Sequence, residues 1–508
     1  MLVSLNIDAI LQEPTIHRRR QKLNAVIDGL GLESAYAETL GRIKAQGGAK
    51  ARLGMAALMW ISHSKRRLKA TELCHALAVE IGSPNLNTED VSSIGTLLAC
   101  CQGLVAIHRV TSTVRLIHFT LHEHLRAHPE LFGTAHSTMA ETCLSYLNSQ
   151  QVKALSTIPS LDSQDTPFLQ YSSVYWGMHA KRNLSNCAKL LALKLFEDYK
   201  NHISIKILLE AQKEASWVVD FDKLSQFTGL HCASLFGIIE IVAILIEMEG
   251  YDINKKDCVD NTPLLWAAHN GHKCVVAFLL GRGDVAPDGP GKDGQTPLWR
   301  AASNGHEGVV KILLKRGQVT PDKADNWGLT PFWCAVLNER EGVVRILLER
   351  GYINPDKPDS DGRGPLWYAA WYGYEGVAKV LLERDEVNPD RPDNDGQTPL
   401  RCAAWRGHEG VVKILLECGG VDPDKTDNDG RTPLRCAALH GHEGVVKILL
   451  EQGKADPDRL DNGGLTPLFC AAWSGHEGVV KMLLERSRVN TDKSDNDGQM
   501  APGFAGMA

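Results

Sequence analysis

Histidine and aspartate are the side chains of this chain whose spacing could do chemistry, and both fall into patterns that can be tested against metal sites. His63, His75, His118, His122, His124 and His128 crowd one stretch, with Glu123 among them. Zinc hydrolases set two histidines one helical turn apart, as His-Glu-x-x-His, so that both imidazoles reach one metal. His122, Glu123 and His124 do not keep that interval, and the group reads as surface helix residues. His306, His408, His442 and His476 each stand beside a turn glycine at whole multiples of 34 residues, too far apart to share an ion, and read as turn residues. The run Asp424-Lys425-Thr426-Asp427-Asn428-Asp429-Gly430 has the acid density of a calcium loop. With Gly430 at the sixth position, however, Lys425 takes the first ligand position and Cys436 the twelfth, where a glutamate is required. The aspartates therefore read as solvated turn residues. No serine, cysteine or carboxylate pair stands out as a nucleophile or an acid–base couple. No metal, cofactor or catalytic residue is assigned, and the chain reads as non-enzymatic.

What positions these residues is a repeat. Pro263, Pro297, Pro331, Pro365, Pro399, Pro433 and Pro467 follow one another at intervals of 34 residues. In the unit around Pro433, Thr432 is placed to cap a helix that Pro433 opens, because a proline at the first helical position gives up no hydrogen bond. Ala437 and Ala438 keep that helix thin enough for close neighbours, and Gly441 supplies a left-handed residue at its end. Val445, Val446, Ile448, Leu449 and Leu450 give a second helix a broad apolar face that only stacked neighbours can bury.

The recurring Thr-Pro-Leu, Ala-Ala, Gly-His and Val-Val-x-x-Leu-Leu resemble the ankyrin repeat. A tetratricopeptide array has the same period, but here the proline opens the first helix and an aspartate-rich turn precedes it. Eight units run from about Asp222 to Lys493, followed by a broken ninth at Asp495–Ala508 that leaves Met482, Leu483 and Leu484 poorly covered. The first unit carries Gly229 in the proline slot. The histidine usual after Thr-Pro-Leu survives only as His231; later units have Leu265, Trp299, Trp333, Trp367, Arg401, Arg435 and Phe469, which puts its usual turn hydrogen bond in question. Each unit is also one residue longer than the usual ankyrin length, with the extra residue in loops such as Val421-Asp422-Pro423-Asp424-Lys425.

Composition bounds the rest. A chain of 508 residues, 43% hydrophobic, has room for two or more domains, and a net charge of −6 offers no field that would announce nucleic acid. The thirteen cysteines form no zinc-type spacing, and Cys402, Cys436 and Cys470 repeat at a small first-helix position. That usage, together with the lack of a signal peptide or membrane span, points to the cytoplasm, with the nucleus as the alternative.

Residues before Asp222 are not repetitive. Helices are expected over Ala49–Ser62, from Thr71 and over Asp90–Cys101, then two β-prone runs, 103–108 and 114–119, joined at Thr111-Ser112-Thr113. Three helices and a hairpin make a winged-helix pattern. The segments Trp60–Leu68, Leu73–Glu80, Val114–Thr120 and Tyr175–Ala180 resemble the winged-helix module that follows the NACHT domain in fungal NOD-like proteins. That resemblance implies a ligand-gated oligomerisation switch with ankyrin repeats as its sensor. No G-x-x-x-x-G-K-[ST] phosphate loop occurs, so nucleotide switching does not carry over, and the chain reads as the back half of such a receptor. The expected organisation is mostly α: a helical remnant at 1–48 following a missing NTPase domain, a winged-helix-like domain at 49–130, a helical linker at 131–221 and an ankyrin solenoid at 222–508.

In ankyrin proteins, partners touch the turn tips and the two residues before the glycine that ends the first helix. Carried over, those slots hold Asn326, Trp327 and Leu329 in the fourth unit, Trp371 and Tyr372 in the fifth, and Trp405 and Arg406 in the sixth. Trp, Tyr and Arg are the types enriched at binding hot spots. A protein partner on the concave surface is the expected function, with no membrane or nucleic-acid partner. The rival reading is a DNA-binding regulator gripping phosphates with Lys65, Arg66, Arg67 and Lys69 while the repeats recruit cofactors. The absence of basic residues over Thr88–Cys101 counts against it.

Overall fold

The computed structural model describes residues 14–27, 32–155, 166–212, 221–248, 251–316, 318–349, 351 and 353–485. The broken ninth unit, the start of the helical remnant and Arg486–Lys493 lie outside them. By its contacts the chain forms two compact units, 1–263 and 264–508.

In the first unit, helices Gly48–His63, Ala70–Ala78 and Ile94–Cys100 precede the antiparallel strands Val105–Ile107 and Val114–Leu116. The third helix starts four residues later than expected. Ser93 sets its start by accepting a hydrogen bond from Thr96 N, and a single 3-10 turn, Thr88–Asp90, precedes it. The wing gains an edge the sequence did not suggest, because Val114 N donates to Leu68 O and Ala70 N to Ser112 O, pairing the segment before the second helix with the hairpin. The basic run there is not a free patch. Glu72, nearly fully buried, takes two hydrogen bonds from Arg66 (2.7 and 2.8 Å), and the same guanidinium lies over the Tyr171 ring.

An aromatic core ties the winged region to the helices downstream of it. Trp60 meets Phe168 and Tyr171 edge-on, and Trp176 packs against Phe196 and Phe236. Phe236 belongs to the first helix pair of the repeat series, Gly229–Phe236 and Ile239–Glu247, which lies within this unit. The same packing explains Gly229: a Cβ there would stand 2.5 Å from Phe196 Cγ, so the proline of later units has no room. One expectation is corrected. His124 is not a surface residue; it is buried against the Tyr36 ring. The helix that carries it turns Leu121, His124 and Leu125 inward together, as residues three and four apart must.

The second unit is a stack of helix pairs, from Pro263–His269 with Lys273–Gly281 to Pro467–Trp473 with Glu477–Leu484. From Pro297–Ser303 onward, first helices pack on first helices and second on second. Thr296, Thr330, Thr398, Thr432 and Thr466 each accept a hydrogen bond from the backbone N–H three residues on, capping the helix that the proline opens. The small positions are filled without gaps: Cys402 and Cys436 are completely buried and Cys470 nearly so, and burial pushes the Cys470 thiol up to about 11. These thiols pack rather than react.

Candidate interaction surface

The surface the repeats offer is built on three hydrogen-bonded devices that hold the turns. In the first, an aspartate closes the turn before each helix-opening proline on itself, except in the unit that has Gly291 at that place. Asp325, Asp359, Asp393, Asp427 and Asp461 each accept from the backbone N–H groups two and four residues on, with Asp427 Oδ1 2.8 Å from Arg431 N. Asp257 makes the same two bonds, so six aspartates sit at one place in the period, and they are structural; Asp427, expected to be solvated, is buried.

The second device replaces the missing histidine. His231 does make the expected bond, its Nε2 2.8 Å from Lys255 O. Three of the later substitutes do the same work by other means: Trp299 Nε1 donates to Leu329 O at 3.0 Å, while Arg401 and Arg435 reach the turn aspartates Asp427 and Asp461, each at 2.7 Å. The turn hydrogen bond put in question by the sequence thus has a substitute at these sites, in the arginine units a buried ion pair. Among the described residues, no group of three or more His, Cys, Asp or Glu is placed to hold a metal.

The third device is the Gly-His pair. His306, His408, His442 and His476 each put Nε2 2.8 to 3.1 Å from a carbonyl in the preceding unit. Their rings lie where a Cβ on Gly271, Gly373, Gly407 or Gly441 would go. The glycine is thus required twice, by its positive φ and by the neighbour's imidazole. The fourth unit breaks this pattern. Glu339 takes the left-handed conformation at φ 57, and Arg340 Nε supplies the missing histidine's bond to Ser303 O at 3.0 Å. One unit later Tyr374 stands in the histidine slot and reaches the equivalent carbonyl, Leu337 O, at 3.3 Å.

Glu339→Gly is expected to raise stability by about 0.5–1 kcal/mol, the relief of a left-handed non-glycine residue less the entropy glycine adds to the unfolded chain. Urea unfolding of the variant measures it. A loss instead would mean that the Glu339 side chain and Tyr374 support each other more than the backbone is strained.

The seven slots carried over from the family separate on this frame. Asn326 is exposed, but its backbone N–H donates to Asp293 O at 2.8 Å, joining one turn to the next. Trp327 at the turn tip is 66% exposed, whereas Leu329 is half-buried and its carbonyl holds Trp299. Trp371 is half-buried, stacked on Trp367 at 5.1 Å and covered by the Arg406 guanidinium at 4.0 Å. Trp405 is half-buried too, edge-on to His440 at 4.3 Å. Tyr372, half exposed, stacks against Tyr368 and Tyr374. The structure therefore brings Trp371 and Arg406 into direct contact across two units and gives the turn residues Asn326, Trp327 and Leu329 to a different row. One residue of the first-helix row was overlooked: Trp473 occupies the same register position as Trp371 and Trp405 and is 65% exposed. The period alone would have found it.

Comparison with known proteins decides what this frame is. Family models described as ankyrin repeats match residues 230–323, 318–393 and 419–497, and a single ankyrin repeat matches 395–428. The array is an ankyrin-repeat solenoid. A further model, described as the winged helix domain of GPI inositol-deacylase, matches residues 42–135 and covers the three helices and hairpin. Among solved structures, the chain is similar to one titled "Crystal structure of the ankyrin repeat domain of Bcl-3: a unique member of the IkappaB protein family", at 27% identity over 44% of this chain and 97% of that one, with a TM-score of 0.38. No curated protein sequence matches the chain. Ankyrin repeats generally mediate protein–protein contacts, so the row of first-helix ends is the surface of interest.

Proposed function

We propose that the chain is a non-enzymatic protein-interaction scaffold whose partner docks on the ends of the first ankyrin helices in units five to eight. The observation that carries this reading is the half-exposed row of Trp371, Tyr372, Trp405, Arg406 and Trp473, set on turns that are locked to their neighbours. Rings fixed by stacking lose little entropy on binding, and these residue types dominate hot spots. Trp327 extends the surface at a turn tip. A winged helix followed by ankyrin repeats supports a place as the sensor half of a receptor resembling the fungal NACHT-ankyrin NOD-like proteins. All thirteen cysteines are free thiols, which supports the cytoplasm or nucleus. Among the described residues no helix is long and apolar enough to cross a membrane. A DNA-reading winged helix is not favoured, since Ile94–Cys100 carries no lysine or arginine and Arg66 is already paired with Glu72.

The test places a photo-crosslinking residue at Tyr372, identifies the captured protein, and measures its affinity for the unmodified chain and its variants. Tyr372→Ala and Trp473→Ala are each expected to weaken binding by about 2 kcal/mol without lowering Tm, as exposed hot-spot residues do. Trp371→Ala is expected to lower both, because its ring also packs between repeats. Affinity unchanged in Tyr372→Ala and Trp473→Ala would remove the partner from this row.

A further inference from the structure

The first compact unit holds a cavity of about 720 Å³ that nothing in the scaffold reading uses. Its wall is formed by the end of helix Gly48–His63, the helix Phe119–Ala127 and the start of Ala135–Leu147, together with the residues just after Leu169–Ala180. Lys65, Arg126, Arg182, His63 and His136 line it, and no carboxylate does. Among the described residues none of the three permanent cations has a carboxylate partner, whereas Arg66, next to Lys65, is fully committed to Glu72. Three unneutralised cations converging on one concave space create a positive potential that a bound anion relieves.

The wall is also organised from behind. Arg182 Nη1 lies 3.1 Å from His136 Nε2, and since a guanidinium can only donate, that nitrogen accepts. His136 Nδ1 therefore carries the proton and donates to His179 Nδ1 at 2.8 Å. His179 in turn donates from Nε2 to Tyr171 Oη at 2.9 Å, and that oxygen also accepts from Lys65 N at 3.1 Å. A single hydrogen-bonded chain, buried at His179 and Tyr171 and exposed at Arg182, thus fixes both tautomers and ties Arg182 to the backbone of Lys65. Burial, then repulsion from Arg182, His63 and Lys65, pushes the His136 imidazole down to about 4; burial and then His136 push His179 down to about 3. Both rings are neutral at ordinary pH, which keeps the acceptor that Arg182 needs. The helix Ala135–Leu147 begins at the same cavity, and no side chain caps its first turn, so its partial positive charge adds to the field.

We propose that this cavity binds a small polyphosphate anion through Lys65, Arg126 and Arg182. Planar guanidinium forks match phosphoryl oxygens, and the volume exceeds what a single phosphate fills. The test is calorimetric titration of the full chain with inorganic pyrophosphate and with inositol hexakisphosphate, using sodium sulfate of equal ionic strength as the reference. Saturable binding of either polyphosphate, at least tenfold tighter than sulfate, is expected. The tighter of the two tells an inorganic from an organic source. Arg182→Gln and Arg126→Gln are each expected to weaken binding tenfold or more, and Arg67→Gln, outside the cavity, to leave it unchanged. Arg126 is exposed and outside the hydrogen-bonded chain that Arg182 ends, so its variant reports on binding even if Arg182→Gln unfolds. Binding no tighter than sulfate, or unaltered in Arg126→Gln, overturns the proposal.

Discussion

Asp427→Ala is expected to destabilise the array by about 3–5 kcal/mol, because it removes one partner of a buried ion pair and strands the other. Asp427 does two jobs with its two oxygens. One closes its own turn on Asp429 N and Arg431 N, and the other meets Arg401 Nη2 at 2.7 Å with both side chains 4% exposed. Arg401 keeps one further acceptor, Gln397 Oε1 at 2.8 Å, which cannot neutralise it. Arg401→Met should cost less, since the methionine retains part of the packed stem while Asp427 still holds its turn. Comparing both with the double variant isolates the pair, and a coupling of about 1–3 kcal/mol is expected for residues in one network. Urea unfolding gives the free energies, and amide hydrogen exchange should localise the loss to units six and seven, as nearest-neighbour stacking requires. A cost below about 1 kcal/mol for Asp427→Ala, the range of a solvated pair, would show that water reaches the site.

Gly177→Ala is the second large effect, expected to cost about 3 kcal/mol or more by overpacking. A Cβ on Gly177 would overlap the Phe236 ring at its root, where the side chain has no freedom to swing away. Phe236 is buried and packs against Trp176 as well, so the ring is held from two sides. Adding Phe236→Leu should recover part of the loss by making room. Differential scanning calorimetry reads both, and an unchanged Tm in the single variant would mean that the first repeat helix can back away from Leu169–Ala180.

The periodic part of the fold was legible because each of its causes is local. A proline that opens a helix, a threonine before it and a glycine after it all act within a few residues, and the eight helix pairs fall where the period puts them. What the period could not reveal was chemistry between units. Tryptophan and arginine in the histidine slot put its bond in question, yet Trp299, Arg401 and Arg435 supply a substitute through partners 26 to 30 residues away. Gly229 in the proline slot has no local cause; Phe196, 33 residues earlier, accounts for it. The cationic cavity was invisible for the same reason: Lys65 and Arg182 lie far apart in sequence, match no motif, and meet only because Trp60 packs on Phe168 and Tyr171. Of the interaction surface, the residue types were legible but not their exposure, which depends on helix face and on what covers each ring: Trp371 lies under Arg406, whereas its neighbour Tyr372 points elsewhere and is half exposed.

The identity of successive interfaces bears on how such a gene can change length. Units six and seven carry the same second helix, Glu-Gly-Val-Val-Lys-Ile-Leu-Leu-Glu, and present the same bonds to the next unit: Arg401 to Asp427 and Arg435 to Asp461, His442 to Trp405 O and His476 to Leu439 O. An unequal crossover that inserts or deletes one such segment between them joins faces that already fit. Recombination can therefore lengthen or shorten this part of the molecule without a compensating point mutation, whereas the same event at the fourth unit would separate Glu339 from Tyr374 and seat a histidine against a side chain it cannot accommodate.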